Sequence, residues 1–171
     1  TEEALAAVGA LPAGMNLNQA VLDRLFAGNL AAGVPSIEKL VLTANKSINF
    51  FGSIDLDTID PTTGKSRLNQ FVFDSPAIYG YGSSGDLVRL TTDTLVWNNT
   101  GKVIASQASG QTPIYESSAP GATMAGGTGS GRFQVDANTV VFGNPTPSQP
   151  DLSTSFNRLM LGFADVELNA A

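Results

Sequence analysis

The side chains of this sequence that could do chemistry are carboxylates and phenols, because the sequence contains neither histidine nor cysteine. Without histidine, the commonest general base and the commonest transition-metal ligand are missing. Without cysteine, disulfides, thiolate metal sites and thiol nucleophiles are missing too. A Ser-His-Asp triad is therefore excluded. What remains is paired-carboxylate catalysis, oxygen ligands for hard cations, and aromatic rings on which sugars stack.

Two groups of aspartates partly match the requirements of paired-carboxylate catalysis and of cation binding. Asp74 and Asp136 take the same outward position in two strand repeats, as a polysaccharide-cleaving pair would. At least one repeat separates them, which predicts a distance of about 10 Å or more, near the upper limit for an inverting pair. Asp55, Asp57 and Asp60 could offer oxygens to calcium, but their segment lacks the glycine and the closing glutamate of an EF-hand. We therefore predict a solvated strand edge at Asp55, Asp57 and Asp60, and no catalytic residue, metal or cofactor.

Three tyrosines are the candidate ligand contacts. Tyr79, Tyr81 and Tyr115 could form a surface on which a sugar ring stacks. Tyr79 and Tyr81 alternate with Ile78 and Gly80, so a strand that turns Ile78 inward turns both tyrosines outward. We predict that Tyr79 and Tyr81 are exposed.

Two glycine-rich motifs have structural explanations. The run GYGSSG at 80–85 matches GxGxxG, which in a nucleotide-binding fold opens a helix beneath a pyrophosphate. Here the strand-like pattern DLVRLTTDTLVW follows, so a turn between strands is predicted. The run GGTGSGR at 126–132 lacks the lysine of a phosphate-binding loop and reads as a linker.

The charge of the sequence argues against a nucleic-acid partner, and its hydropathy argues against a membrane-spanning helix. The net charge is −6, the isoelectric point is about 4.4, and the nine lysines and arginines are scattered singly. This distribution repels a phosphate backbone, so no nucleic-acid partner is predicted. No apolar run reaches the ~18 residues that a membrane-spanning helix needs.

The elements that must position these side chains follow one spacing. From Leu40 onward the apolar period is two, and five segments place their core positions 2, 2, 3 and 2 residues apart, with one extra residue in the first. A step of three keeps both halves facing inward when the chain turns a corner. This pattern predicts a parallel β-solenoid whose turns stack about 4.8 Å apart. The sets are Leu40, Leu42, Ala44, Ile48, Phe50; Phe71, Phe73, Ser75, Ile78, Gly80; Val88, Leu90, Thr92, Leu95, Trp97; Phe133, Val135, Ala137, Val140, Phe142; and Leu159, Leu161, Phe163, Val166, Leu168.

The chain divides into two regions. Residues 1–39 form a helix-loop element, in which Asn18 can cap a short helix that Gly28 ends. Residues 40–171 carry the strand turns, interrupted by Gly-, Pro- and Ser-rich excursions, of which the longest spans about 105–131. Because the sequence stops inside a strand pattern, we expect further turns to follow residue 171, and also to precede residue 1.

Residues 10–58 also resemble a known family. The run LPAGMNLNQAVLDRLFAGNLAAGVPSIEKLVLTANKSINFFGSIDLDT is similar to the recurring segment of bacterial filamentous-haemagglutinin-family outer-membrane exoproteins, in which a helix-loop element ends in a Gly-Val-Pro-like turn before the strands. Beyond residue 58 only the strand pattern continues. The carrying residues are Leu11, Pro12, Gly14, Leu17, Leu25, Gly28, Gly33, Pro35, Leu40, Leu42, Ile48, Phe50, Gly52 and Ser53.

The resemblance implies an all-β, right-handed parallel β-helix with a short N-terminal helical element and long loop excursions. It implies an internal segment of a large secreted adhesin at the bacterial cell surface, exported by a partner transporter of the outer membrane (two-partner secretion). Its role would be structural and adhesive, towards host cells or glycans, and not enzymatic. Two alternatives stay open: a polysaccharide-degrading or polysaccharide-binding β-helix, such as a lyase or a tailspike, and a passive rod spacer.

Overall fold

A computed structural model describes residues 17–28, 32–44, 47–98, 127–143 and 158–171. These residues hold one helix and nine strands, and β-structure therefore dominates. The elements are α1 Gln19–Ala27, β1 Lys39–Thr43, β2 Ile48–Phe50, β3 Ile54–Asp57, β4 Gln70–Asp74, β5 Ala77–Gly80, β6 Leu87–Asn98, β7 Gly131–Phe142, β8 Leu159–Leu161 and β9 Phe163–Ala170.

The strands form two sheets. The large sheet has the order β1-β4-β6-β7-β9, with β3 also beside β6, and the small sheet has the order β2-β5-β8. All pairs between these strands are parallel. The chain leaves the large sheet after β1, β4 and β7, and it returns to the large sheet after each strand of the small one. The prediction of an all-β fold built on parallel strands is confirmed at this level.

Two of the predicted alignments between repeats are confirmed. Leu40 lies opposite Phe71, and Ile48 lies opposite Ile78, so the first two repeats stack as the spacing predicted. The pairing of β6 with β7 matches along its whole length, from Val88 opposite Phe133 to Trp97 opposite Phe142.

Two other alignments are wrong. Phe71 was predicted beside Val88, but it lies opposite Leu95, while Val88 lies opposite Ile54. Likewise it is Val166, and not Leu159, that lies opposite Phe133. The reason is that β6 and β7 pass through the predicted corner as continuous twelve-residue strands, so β3 and β4 pair with different halves of β6. A step of three marks a change of sheet after β4, but only a local irregularity inside β6.

The core lies between the two sheets. Phe50 of the small sheet contacts Phe73 and Phe133 of the large sheet edge-on, with ring centroids 6.1 and 5.7 Å apart. The predicted corner at Ser75 is buried, and its carbonyl oxygen accepts a 2.9 Å hydrogen bond from the Trp97 indole. These contacts fix the angle at which β4 turns into β5.

Helix α1 forms where the sequence placed it. The Asn18 side chain accepts a 3.0 Å hydrogen bond from the Val21 amide, and Gly28 ends the helix with a φ of 55°. Leu22 and Phe26 are buried in the same core cluster as the strands. The helix is therefore part of the folding unit.

The same helix covers the free edge of β3. The Gln19 side-chain amide donates to the Asp57 carbonyl at 3.1 Å and accepts from the Asp57 amide at 2.9 Å, as a neighbouring strand would. The Arg67 guanidinium also lies 5.6 Å from the centre of the Phe26 ring, a cation–π contact that helps to hold the helix in place. A strand from a preceding turn could not pair with Asp57 while Gln19 occupies these groups. The helix thus acts as a cap on this edge.

A Gln19→Ala variant is expected to be less stable than the wild type by about 1 to 2 kcal/mol, because two backbone groups of Asp57 lose their partner. The free energy of unfolding in urea measures this loss. Arg24→Ala is the control, because Arg24 is exposed on the same helix and, among the described residues, donates a hydrogen bond within that helix, to the carbonyl of Ala20. Equal stability of the two variants would contradict the capping role.

Candidate functional site

Tyr81 is half-buried and stacks on a second aromatic ring. Phe51 follows β2 and Tyr81 follows β5, and their rings lie nearly parallel, 4.9 Å apart and 11° from coplanar. The arrangement follows from the parallel register, since Phe50 lies opposite Gly80 and the Tyr81 amide donates to the Phe50 carbonyl. Neighbouring strands of a sheet lie about 4.7–4.9 Å apart, which is almost the distance between the two rings. The result is a two-ring stack just beyond the carboxyl ends of β2 and β5.

The phenol of Tyr81 is engaged by the chain that returns to the large sheet. Burial raises the pKa of Tyr81, and a hydrogen bond with the backbone of Gly127 partly offsets that rise. Beside it, the Gly129 amide donates to the carbonyl of Gly80 at 3.0 Å. Tyr81 therefore positions the base of the predicted 105–131 excursion, whose last residue, Gly131, already belongs to β7.

Tyr79 does not lie on the surface, and the prediction that it is exposed is wrong. Its side chain is 1% exposed, since every residue of β5 is buried on both faces of the strand. Alternation correctly turned Tyr79 away from Ile78, but alternation does not tell whether that second face is covered. Tyr115 lies outside the described residues, so its role as a ligand contact stays a prediction.

The GYGSSG motif is a turn, as predicted, and the strand β6 follows it. Asp86 closes the turn: one of its carboxylate oxygens accepts from the Ser83 amide and the other from the Ser53 hydroxyl, both at 2.7 Å. The Ser53 bond, followed by the Ser83 bond, lowers the pKa of Asp86. A carboxylate at this position would repel a phosphate, so the motif is not a nucleotide-binding loop.

The two carboxylates considered for catalysis do not share a ladder, and this prediction is wrong. Asp74 lies opposite Thr43 and Asn98, whereas Asp136 lies opposite Thr91 and Asn169. The error has the same cause as the register errors, because the two aspartates belong to different halves of the large sheet. Thr91, which stands between Leu90 and Thr92 of the third set, does lie opposite Asp136, as the alignment of the third and fourth sets predicted.

Asp136 is instead the centre of a polar network on β6, β7 and β9. It accepts hydrogen bonds from Arg89 at 3.1 Å, from Gln134 at 2.9 Å and from Asn169 at 2.9 Å. The Asn169 bond is the largest of the influences that lower the pKa of Asp136. A general acid needs a raised pKa, so this carboxylate is suited to holding strands together and not to proton donation.

Two of the three aspartates considered for calcium, Asp57 and Asp60, accept hydrogen bonds from the backbone. Asp57 accepts from the Ile59 amide at 2.8 Å, and Asp60 accepts from the Thr62 amide at 2.7 Å. Asp60 also forms a 3.4 Å ion pair with Arg67. Within the part of the chain that the structure describes, no three side chains of the types His, Cys, Asp or Glu are grouped so that they could hold a metal ion.

The pKa of Asp136 predicts an acid dependence of stability. Because its pKa is lower in the folded protein, its contribution is complete above the ordinary value of about 4 and is lost as the pH falls through the folded value. An Asp136→Asn variant should therefore be less stable than the wild type at pH 7 and should lose less stability between about pH 4 and pH 2. Urea unfolding across this range measures both effects. Parallel pH profiles would contradict the assignment.

The chain matches no model of a protein family, no curated protein and no solved structure in the three comparisons made. No helix among the described residues is long and apolar enough to span a membrane.

Proposed function

We propose that this chain is a right-handed parallel β-helical segment of a large secreted bacterial exoprotein of the filamentous-haemagglutinin type, with a structural and adhesive role at the cell surface. The observation that carries the proposal is the repeated parallel return of the chain to both sheets. The paths β1-β4-β6-β7 and β2-β5-β8 both stack strands in chain order, as a coil would. Right-handedness is supported by the strong preference of parallel crossover connections for that hand.

The chain between β6 and β7 is the segment that we propose to be displayed. β5 pairs directly with β8, so these two strands are neighbours in the small sheet although β6 and β7 lie between them along the chain. At its return this connection is held by Tyr81 and by the bond from Gly129 to Gly80. A rigid base on a stiff scaffold is the usual support of a binding loop.

An adhesive role is favoured over a polysaccharide-cleaving one by the carboxylates themselves. Asp136 is held ionised by three donors, and Arg132 forms ion pairs of 3.3 Å with both Asp165 and Glu167. Such paired groups are stabilising elements of the sheet. The partner transporter and the host-cell or glycan ligand remain part of the proposal by resemblance.

The proposal predicts that the purified chain binds host cells or glycans. A variant lacking 106–126 should bind them with an affinity about tenfold or more lower, which corresponds to a loss of ~1.4 kcal/mol of binding free energy. Residues 127–131 are kept because Gly129 bonds to Gly80 and Gly131 belongs to β7. Binding is measured on immobilised glycans and on cells, and the same glycans are analysed for fragments.

The control is the double variant Thr62→Ala and Thr63→Ala in the exposed turn between β3 and β4, which should bind like the wild type. Glycan cleavage would overturn the adhesive role in favour of an enzyme. Absence of both binding and cleavage would leave a rod spacer. Equal binding by the deletion variant would move the contact surface away from this segment.

A further inference from the structure

The small sheet is covered on the face that points away from the core. Tyr79 of β5 lies on this outer face, yet its side chain is only 1% exposed. Asn49 and Leu161 lie opposite it in β2 and β8. These two side chains are shorter than a tyrosine and stand beside its ring, so they leave its far end uncovered. The burial arises within a single chain, so a second layer of this chain covers Tyr79.

The connection between β6 and β7 reaches this outer face near its end. A Cβ atom added to Gly127 would overlap the Cβ atom of Leu161, so Gly127 lies directly against that side chain. The backbone of Gly127 also forms a hydrogen bond with Tyr81. Leu161 lies opposite Tyr79, and Tyr81 follows Tyr79 by two residues, so both point to the same side as Tyr79. The connection therefore ends on the outer face, next to Tyr79.

The same connection starts at the opposite end of β5. It leaves the large sheet after Asn98, whose carbonyl accepts a 3.1 Å hydrogen bond from the Ser75 amide at the corner before β5. It ends beside Tyr81, which follows β5. β5 pairs directly with β2 on one side and with β8 on the other, so the connection passes the sheet on one of its faces. Because the core fills the inner side of β5, the short path between the two ends runs along the outer face, over Tyr79.

The other long connection, residues 144–157 between β7 and β8, starts and ends at one corner. The carbonyl oxygen of Trp97 accepts a hydrogen bond from the Gly143 amide at 3.1 Å and another from the Arg158 guanidinium at 3.0 Å. Gly143 precedes this connection and Arg158 follows it, so both of its ends lie where β6 ends. A segment that begins and ends at the same corner does not need to cross β5. The geometry therefore favours the β6–β7 connection as the cover of Tyr79.

We propose that the outer face of β5 is the docking surface for residues 99–126, which cross the small sheet on its outside and cover Tyr79 with apolar side chains. The sequence of this segment suits such a surface, because only Lys102 and Glu116 in it are charged. Connections between strands usually cover the faces of a parallel sheet in this way. The inference does not depend on the adhesive role, since it concerns contacts within the chain. It also gives the displayed segment of the proposed function a fixed support along β5.

The first test measures the rate at which tetranitromethane nitrates Tyr79, with the site located by peptide mass spectrometry. In a variant whose residues 99–126 are replaced by a Gly-Ser sequence of equal length, Tyr79 should react on the order of a hundredfold faster than in the wild type, because a buried group reacts only during local opening. Replacing 144–157 in the same way is the matched control and should leave Tyr79 protected. Unchanged protection in a 99–126 variant that keeps its thermal transition overturns the proposal. So does loss of protection in the 144–157 variant alone.

Limited proteolysis tests the same contact in the full chain, and it decides the matter if the 99–126 variant does not fold. Tyr79→Ala removes the ring that the segment covers, whereas Tyr79→Phe keeps it. A protease of broad specificity should cut within 99–126 about tenfold faster in Tyr79→Ala than in Tyr79→Phe, because cleavage follows the population of the undocked form. Cleavage in the exposed turn at 61–65 is the internal reference and should be equal in both variants. Equal cleavage within 99–126 would contradict the docking.

Discussion

A Leu90→Asp variant is expected to show no cooperative thermal unfolding transition. Leu90 is fully buried, and it lies between Leu56 and Val135 in consecutive strands of the large sheet. The substitution removes about 2 kcal/mol of apolar burial and places a carboxylate without a counter-ion in the core, which costs several kcal/mol more. Together these losses approach the total stability of about 5 to 15 kcal/mol that a domain has. Circular dichroism during heating measures the transition.

The neighbouring Arg89 supplies the matched control. Arg89 points to the opposite face of β6, where it is half-exposed and paired with Asp136 at 3.1 Å. An Arg89→Gln variant should keep its transition and lose about 1 kcal/mol or less, the usual value of an exposed ion pair. If Leu90→Asp melted as cooperatively as Arg89→Gln, the inward assignment of this ladder would be wrong.

Local rules were sufficient for the helix and for the inward residues. Asn18 and Gly28 mark the ends of α1 because capping is decided by a few adjacent residues. The period of two identified Leu90, Phe133 and Val135 as core positions, because side chains of a strand alternate between faces whatever the strand pairs with.

The choice of pairing partner could not be read from the same spacing. A step of three occurs at the corner after β4 and also within β6, where Asn138 of the next strand donates to Asp93 at 2.7 Å. Only the rest of the fold decides whether the chain bends or continues at such a step. This is why Asp74 and Asp136 were wrongly placed in one ladder.

The burial of the outer strand faces could not be predicted from the sequence either. Val72 and Val96 point away from the core cluster that contains Phe71, Phe73 and Leu95, yet they are 7% and 0% exposed. The same kind of coverage buries Tyr79. For the candidate site, the outward direction of Tyr81 was predictable from alternation, whereas its stacking on Phe51 depends on the register between β2 and β5.

One exception in the predicted repeats has a structural cause. Gly80 is the one residue without a side chain at an otherwise apolar first, second, fourth or fifth position of the five sets. A Cβ atom added there would overlap the carbonyl of Gly162 and the ring of Phe163, which lie directly against it. The turn between β8 and β9 thus fits against β5 only because both residues at the contact are glycines.

A Gly162→Ala variant tests this contact and is expected to lose about 3 kcal/mol or more of unfolding free energy, measured in urea. Gly162 has a φ of 82°, a conformation that costs a side chain about 1 to 2 kcal/mol. In addition its Cβ would overlap the backbone carbonyl of Gly80, and overpacking of this kind costs about 1 to 3 kcal/mol.

Gly64→Ala separates the two contributions, because Gly64 has a φ of 68° but nothing within 4 Å of an added Cβ. That variant should lose only the conformational part, about 1 to 2 kcal/mol. A difference between the two variants therefore measures the overlap alone. If both lost the same free energy, the close approach of Gly80 and Gly162 would not constrain the fold, and the glycine in the repeat would need another explanation.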